Sequence, residues 1–198
     1  LLFDDQAVLR GNQQLQTLVI CSTLSPRYLA TIAERAPAGV TLIDAPMSGA
    51  EIAATERRLS FMLGGPDAAL DALHPMLAAM GTTFHRMGGF GAGMSAKVLN
   101  NLVAASSVAT TRTALSWADE LGLDEGRLLA LMNDSSGQTW FGSAFDQIEF
   151  SRDGYAPDNT IGILTKDVAA ALHAVDRADH PLGTALIEAI GALTPRQK

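Results

Sequence analysis

Hydrophobic positions change their rhythm once along this chain. Up to about residue 88, short apolar runs alternate with longer stretches in which apolar side chains return every three or four residues; after residue 93 only the longer period persists. Leu18-Val19-Ile20 lies in a run over 15–21 that reads as a buried strand. Ser22-Thr23-Leu24-Ser25-Pro26 follows at once. A serine or threonine caps a helix and proline suits its first turn, so a helix is expected over 27–36. The unit repeats with a strand over 39–44 and a turn at Ala45-Pro46-Met47-Ser48-Gly49-Ala50. A strand over 59–63 closed by Gly64-Gly65-Pro66, a helix over 67–80 and a last strand over 82–87 complete this part. Ahead of them, Asp4, Asp5 and Gln6 can open a helical turn to Leu9 that Gly11-Asn12 breaks. Met62, Met76, Met80, Met87 and Met94 are expected to be packing residues.

Beyond the glycines at 88, 89, 91 and 93, one long helix is expected to run from 94 to a stop at Gly122, with apolar residues at 98, 99, 102, 103, 108, 115 and 117. A second helix restarts at Leu123-Asp124 and runs through Met132 to the polar break Asn133-Asp134-Ser135-Ser136-Gly137. A loop over 150–160 precedes a helix over 161–175. The expected fold class is therefore α/β followed by all-α. Residues 1–90 form part of a Rossmann-like parallel sheet domain, residues 91–198 form a helical domain, and a long helix joins them. In open parallel sheets ligands collect at the carboxyl ends of the strands, so the loops at 22–25 and 45–50 should open on one edge.

Composition narrows the function classes. With 198 residues of which 47% are hydrophobic, the chain has material for a substantial core. A net charge of −7 argues against nucleic acid as a partner. No apolar stretch reaches membrane-span length and no signal peptide is visible, so a cytoplasmic protein with no membrane partner is expected. Cys21 is the only cysteine, and His74, His85, His173 and His180 show no paired spacing, so no metal site is expected.

Chemistry concentrates in Gly88-Gly89-Phe90-Gly91-Ala92-Gly93-Met94-Ser95-Ala96-Lys97-Val98-Leu99-Asn100-Asn101. Glycines let the backbone turn sharply beside a helix start. Lys97 and Asn101 are four residues apart and rise on one helix face, expected to be exposed, where both can reach one small molecule. A helix N-terminus disfavours an ammonium ion, which would help Lys97 act as a base near neutral pH. Of fourteen basic residues only Lys97, Lys166 and Lys198 are lysines, and lysine, unlike arginine, can exchange a proton. Asn100 and Asn101, poor helix formers inside an apolar stretch, suggest a buried polar task, whether substrate contact or a hydrogen bond between domains. Ser48-Gly49 after a strand suits a carboxylate but is also an ordinary turn, and Thr23 is as readily a cap as a ligand contact.

Asp44-Ala45-Pro46-Met47-Ser48-Gly49, then Gly91-Ala92-Gly93 with Lys97, Asn100 and Asn101, then Lys166-Asp167, resemble the β-hydroxyacid dehydrogenase family over about residues 15–175. That family includes 3-hydroxyisobutyrate dehydrogenase and tartronate semialdehyde reductase and, more distantly, 6-phosphogluconate dehydrogenase. The resemblance implies NAD or NADP as cofactor and a small hydroxy acid as substrate. It implies Lys97 as the general acid/base, and Ser48 and Gly49 as holders of the substrate carboxylate. Asn101, with Asn100, would orient the substrate. Thr23, with Ser22, would lie near the nicotinamide ribose, and Lys166 beside Asp167 would close over the cofactor. A homodimer or homotetramer through the helical region is implied as well.

Two departures accompany the resemblance. No Gly-x-Gly-x-x-Gly turn precedes the sheet, so the chain is expected to start inside the family's nucleotide-binding domain. Ala50 stands where the family usually has glycine, which narrows the carboxylate loop. Two other readings follow: a related imine reductase, against which Lys97 argues, and a non-catalytic remnant kept as a dimerisation or binding module.

Overall fold

The computed structural model describes residues 2, 9 and 14–197. The expected turn over 4–8 and the break at Gly11-Asn12 lie outside the described residues. Two compact units divide the chain, Leu1–Val98 and Leu99–Lys198.

The first unit is a five-stranded sheet with helices. It runs β1 (Thr17–Ile20), α1 (Pro26–Arg35), β2 (Thr41–Asp44), β3 (Met47–Ser48), α2 (Ala50–Thr55), β4 (Leu59–Gly64), α3 (Asp67–Ala78) and β5 (Gly81–Gly88), then enters α4 (Ala92–Glu120). The expected parallel sheet is found in two pairs, β1 with β2 and β4 with β5. The others are antiparallel: β2 meets β4 at Asp44 and Gly64, and β3 aligns Met47 with Phe61 and Ser48 with Ser60. The 45–50 segment is thus a short strand leading into a helical turn rather than an open turn. Pro26 starts α1 as expected, and Ser25 occupies the N-cap, although its side chain does not cap the first turn.

Side chains alternate across β4. Phe61 and Leu63 join Ile43, Ala53, Leu70 and Leu77 in one core, so α2 and α3 share that face. A second cluster joins Ile20 to Leu29 and Ile32 of α1 and to Met94 of α4. Met62 and Met94 are packing residues as expected, whereas Met76, Met80 and Met87 are exposed. A helical spacing shows which residues share a face, but here that face is only partly covered.

The second unit holds the rest of α4 with α5 (Glu125–Asn133), α6 (Trp140–Ser143), α7 (Thr160–Ala174) and α8 (Pro181–Gly191). Three of these starts are capped by side chains: Asp124 accepts from the Arg127 N–H, Thr139 from Gly142 and Asn159 from Gly162. The core joins Val108 and Leu115 of α4 to Phe141, Phe145, Ile161, Val168 and Ile190. Gly183 lets α8 approach α7, since a Cβ there would lie 2.4 Å from the Leu172 side chain. Arg112 is buried and donates to the carbonyls of Ser151, Asp153 and Thr194 at 2.7, 2.8 and 2.6 Å, tying the loop after α6 and the chain's end to α4. Among the described residues no helix is long and apolar enough to cross a membrane.

Candidate active site

Asp44, the last residue of β2, organises the chemistry of the first unit. Its side chain is wholly buried and accepts the N–H of Gly91 at 2.6 Å on one oxygen and that of Met94 at 2.5 Å on the other. Burial pushes the Asp44 carboxyl above its ordinary value, while N–H groups of Gly91, Met94, Gly93 and Asp44 itself pull the other way. Space for the carboxylate is made by glycine. A Cβ on Gly64 would lie 2.2 Å from Asp44 Oδ1, and one on Gly93 would lie 2.9 Å from Oδ2 and 2.4 Å from the Met62 carbonyl oxygen.

The segments around this carboxylate are tied to one another. Ala45 donates to the Ile20 carbonyl at 2.9 Å, joining the ends of β1 and β2. Met62 donates to the Pro46 carbonyl at 2.9 Å, and its own carbonyl is the group that Gly93 approaches. Leu24 donates its N–H to Met94 Sδ at 3.3 Å, fastening the loop after β1 to the first turn of α4. Because β1 and β2 are parallel neighbours, the chain leaves both at the same edge of the sheet, into the loop at 22–24 and into Ala45-Pro46 ahead of β3.

Ser22 and Thr23 are exposed on that edge, and Ser48 is half-buried. Gly49 has φ +135°, and a Cβ there would meet the Ala53 Cβ at 2.4 Å, so the position requires glycine. Ala50 follows at φ +54°, the left-handed region, which costs a residue with a Cβ about 1 kcal/mol. The departure at position 50 is therefore conformational as well as steric.

Lys97, six residues into α4, is buried at 8% exposure. The exposed face expected for it is corrected: Lys97 is buried, as are its helix neighbours Met94 and Val98.

In the second unit, Asn101 is half-buried and donates from Nδ2 to Asp167 Oδ2 at 2.9 Å. Asn100, beside it, is exposed, and the Asn101 bond lies within the second unit rather than between domains. Lys166 is exposed on α7. Asp167 gains a partner that its place beside Lys166 does not reveal. Asp44 is marked in the sequence only as a carboxylate ending an apolar strand just ahead of Ala45-Pro46.

Comparison with known proteins follows the same two parts. Residues 91–194 match the family described as NAD-binding of NADP-dependent 3-hydroxyisobutyrate dehydrogenase, and residues 1–89 match the NAD binding domain of 6-phosphogluconate dehydrogenase. The chain is 35% identical to 3-hydroxyisobutyrate dehydrogenase of Pseudomonas aeruginosa over 176 residues, covering 84% of this chain and 59% of that protein. It is 28% identical to the mitochondrial 3-hydroxyisobutyrate dehydrogenase of Drosophila melanogaster, covering 90% of this chain and 57% of that one. The structure of Mycobacterium tuberculosis 3-hydroxyisobutyrate dehydrogenase with L-serine superposes with a TM-score of 0.78 at 26% identity, covering 92% of this chain and 66% of that one. The chain thus spans somewhat less than two thirds of the length of these relatives.

Proposed function

The chain belongs to the β-hydroxyacid dehydrogenase family, and from that membership we propose that the protein interconverts a small β-hydroxy acid and its semialdehyde or keto acid with NAD or NADP. The observation that carries this reading is a lysine buried on a helix whose first turn is bound to the loop after β1 and to the last residue of β2, at the carboxyl edge of a parallel strand pair. A buried amine with no competing lysine nearby in sequence is suited to passing one proton to and from a substrate oxygen.

Lys97 protonates the carbonyl oxygen during reduction and takes the hydroxyl proton during oxidation. Ser48 and the backbone at Gly49 hold the substrate carboxylate. Asn101, held by Asp167, orients the substrate, with Asn100 beside it on α4. The exposed hydroxyls of Ser22 and Thr23 fit a ribose at the sheet edge, because their loop is held in place through Leu24. Lys166 and Asp167 serve the cofactor side from α7. When bound, the nicotinamide supplies or accepts the hydride.

The mycobacterial relative's L-serine carries a carboxylate and a hydroxyl on the β carbon, the same two groups this site is proposed to grip. The protein is proposed to act as a homodimer or homotetramer. Leu99, Val103, Trp117 and Leu121 stand exposed along α4 and just beyond it and offer apolar surface for that association.

Replacing Lys97→Ala tests the reading. We expect kcat for hydroxy acid oxidation to fall by orders of magnitude, with the cofactor Kd within about twofold of the parent. A Lys97→Ala protein with ordinary turnover overturns the assignment. Assay of cyclic imine reduction on the same preparation separates this activity from that of an imine reductase.

A further inference from the structure

A helix start can be satisfied by a neutral cap on its own chain segment; here the task is given to a carboxylate 47 and 50 residues away, removed from water at the end of a strand. Its cost in desolvation is matched by unusual local provision. Two glycines leave room for it, and Gly93 is also pressed against the backbone of β4. Gly93 and Met94, the positions at the carboxylate, precede Lys97 by four and three residues, which puts Lys97 one turn further along the same helix face. An α-helix transmits a displacement of its first turn to the next with little loss, and catalytic groups lose activity steeply when misplaced by about 1 Å.

We infer that Asp44 is a positioning residue for the reaction: by gripping the Gly91 and Met94 N–H groups it sets where Lys97 stands relative to the segments at 22–24 and 45–49. This rests on the assignment of Lys97 as the acid/base group. The residue that the carboxylate grips, Met94, also holds Leu24, and Ala45 beside Asp44 is bonded to Ile20 at the end of β1. A shift of the first turn therefore changes the lysine's register against both segments at once. Asp44 touches neither substrate nor cofactor in this account and acts through Lys97.

Asp44→Asn keeps the side chain's shape but turns one acceptor into a donor facing an N–H, and Asp44→Ser keeps a single small acceptor. Each is made in the parent and in Lys97→Ala, so that each Asp44 variant gives its own four-membered cycle of kcat values. Asp44→Asn is expected to lower kcat about tenfold or more in the parent while leaving the cofactor KM within about twofold, and to change the residual turnover of Lys97→Ala by less than about twofold. Equal losses in both backgrounds overturn the proposal, as does the absence of a cooperative melting transition in both Asp44 variants, which would make the carboxylate purely structural.

A second measurement needs no turnover. With only three lysines in the chain, labelling by an amine reagent followed by peptide mapping reads Lys97 against Lys166 and Lys198. Asp44→Asn should change the Lys97 labelling rate several-fold and leave that of Lys166 unchanged; an unchanged Lys97 rate overturns the coupling. If Lys97→Ala keeps full turnover while Asp44→Asn still alters Lys97 labelling, the positional coupling stands and the acid/base assignment is what fails.

Discussion

Asn101 donates from its amide nitrogen to Asp167 Oδ2 at 2.9 Å, joining α4 to α7 within the second unit. A carboxylate only accepts, so this contact decides the orientation of the amide: nitrogen toward Asp167, oxygen away. The Lys166-Asp167 pair thereby divides into an exposed cation and a half-buried anion that holds a neighbouring helix's side chain.

The contact predicts how an Asp167 variant should fail. Asp167→Ala frees the Asn101 amide to turn, and the KM for the hydroxy acid is expected to rise about tenfold, with a smaller fall in kcat. Asp167→Asn can still present a carbonyl oxygen to Asn101 and should recover most of the loss. Steady-state kinetics at saturating cofactor measure both. Equal defects in the two variants would remove Asn101 as the route of the effect.

Glycine at 93 is a steric requirement of the α4 start. A Cβ there would lie 2.4 Å from a backbone oxygen of β4, which cannot swing aside as a side-chain tip would, whereas a Cβ on Gly89 meets nothing within 4 Å. Gly93→Ala is expected to cost about 2–4 kcal/mol of unfolding free energy and Gly89→Ala less than about 1 kcal/mol. Denaturant unfolding of the two variants checks the contrast.

How much of this was legible in sequence depends on whether the deciding contact is local. The strands at Leu18-Val19-Ile20 and around Phe61 announce themselves as apolar runs, and α4 by its sustained period. β3 is two residues long and exists because Met47 and Ser48 align with Phe61 and Ser60, so no local pattern marks it. The Ala50–Thr55 helix, at six residues, is also too short to show a helical period. The spacing of Lys97 and Asn101 was readable because helical geometry repeats within one turn. The burial of Lys97 and the grip of Asp44 were not, because both depend on segments brought together from tens of residues apart. A bundle core such as Phe141, Phe145 and Ile190 shows the same limit: its residues look apolar in sequence, but their mutual packing is tertiary.

The acid stability of the second unit should run through Glu125. Burial alone would raise its carboxyl, but hydrogen bonds from Arg152 and Arg196 outweigh that and hold it below its ordinary value of 4.5. Arg152 Nη2 lies 2.6 Å from Glu125 Oε1, and Arg196 binds the other oxygen while also holding Asp119 at 2.6 Å. A carboxyl whose folded pKa is depressed contributes stability that is fully present above its unfolded pKa and is lost as pH falls through its folded value. Asp44 works in the opposite sense: raised by burial, it favours the folded state below its unfolded value of 3.8 and loses that contribution as pH rises through its folded value. Total stability against pH therefore mixes two opposed trends, and the difference between parent and Glu125→Gln isolates one of them. The parent is expected to melt higher than Glu125→Gln at pH 7, with the gap narrowing steadily as pH falls below about 4.5. A gap that stays constant from pH 7 to pH 3 would mean that the two arginines do not discriminate the charged carboxylate from the neutral amide.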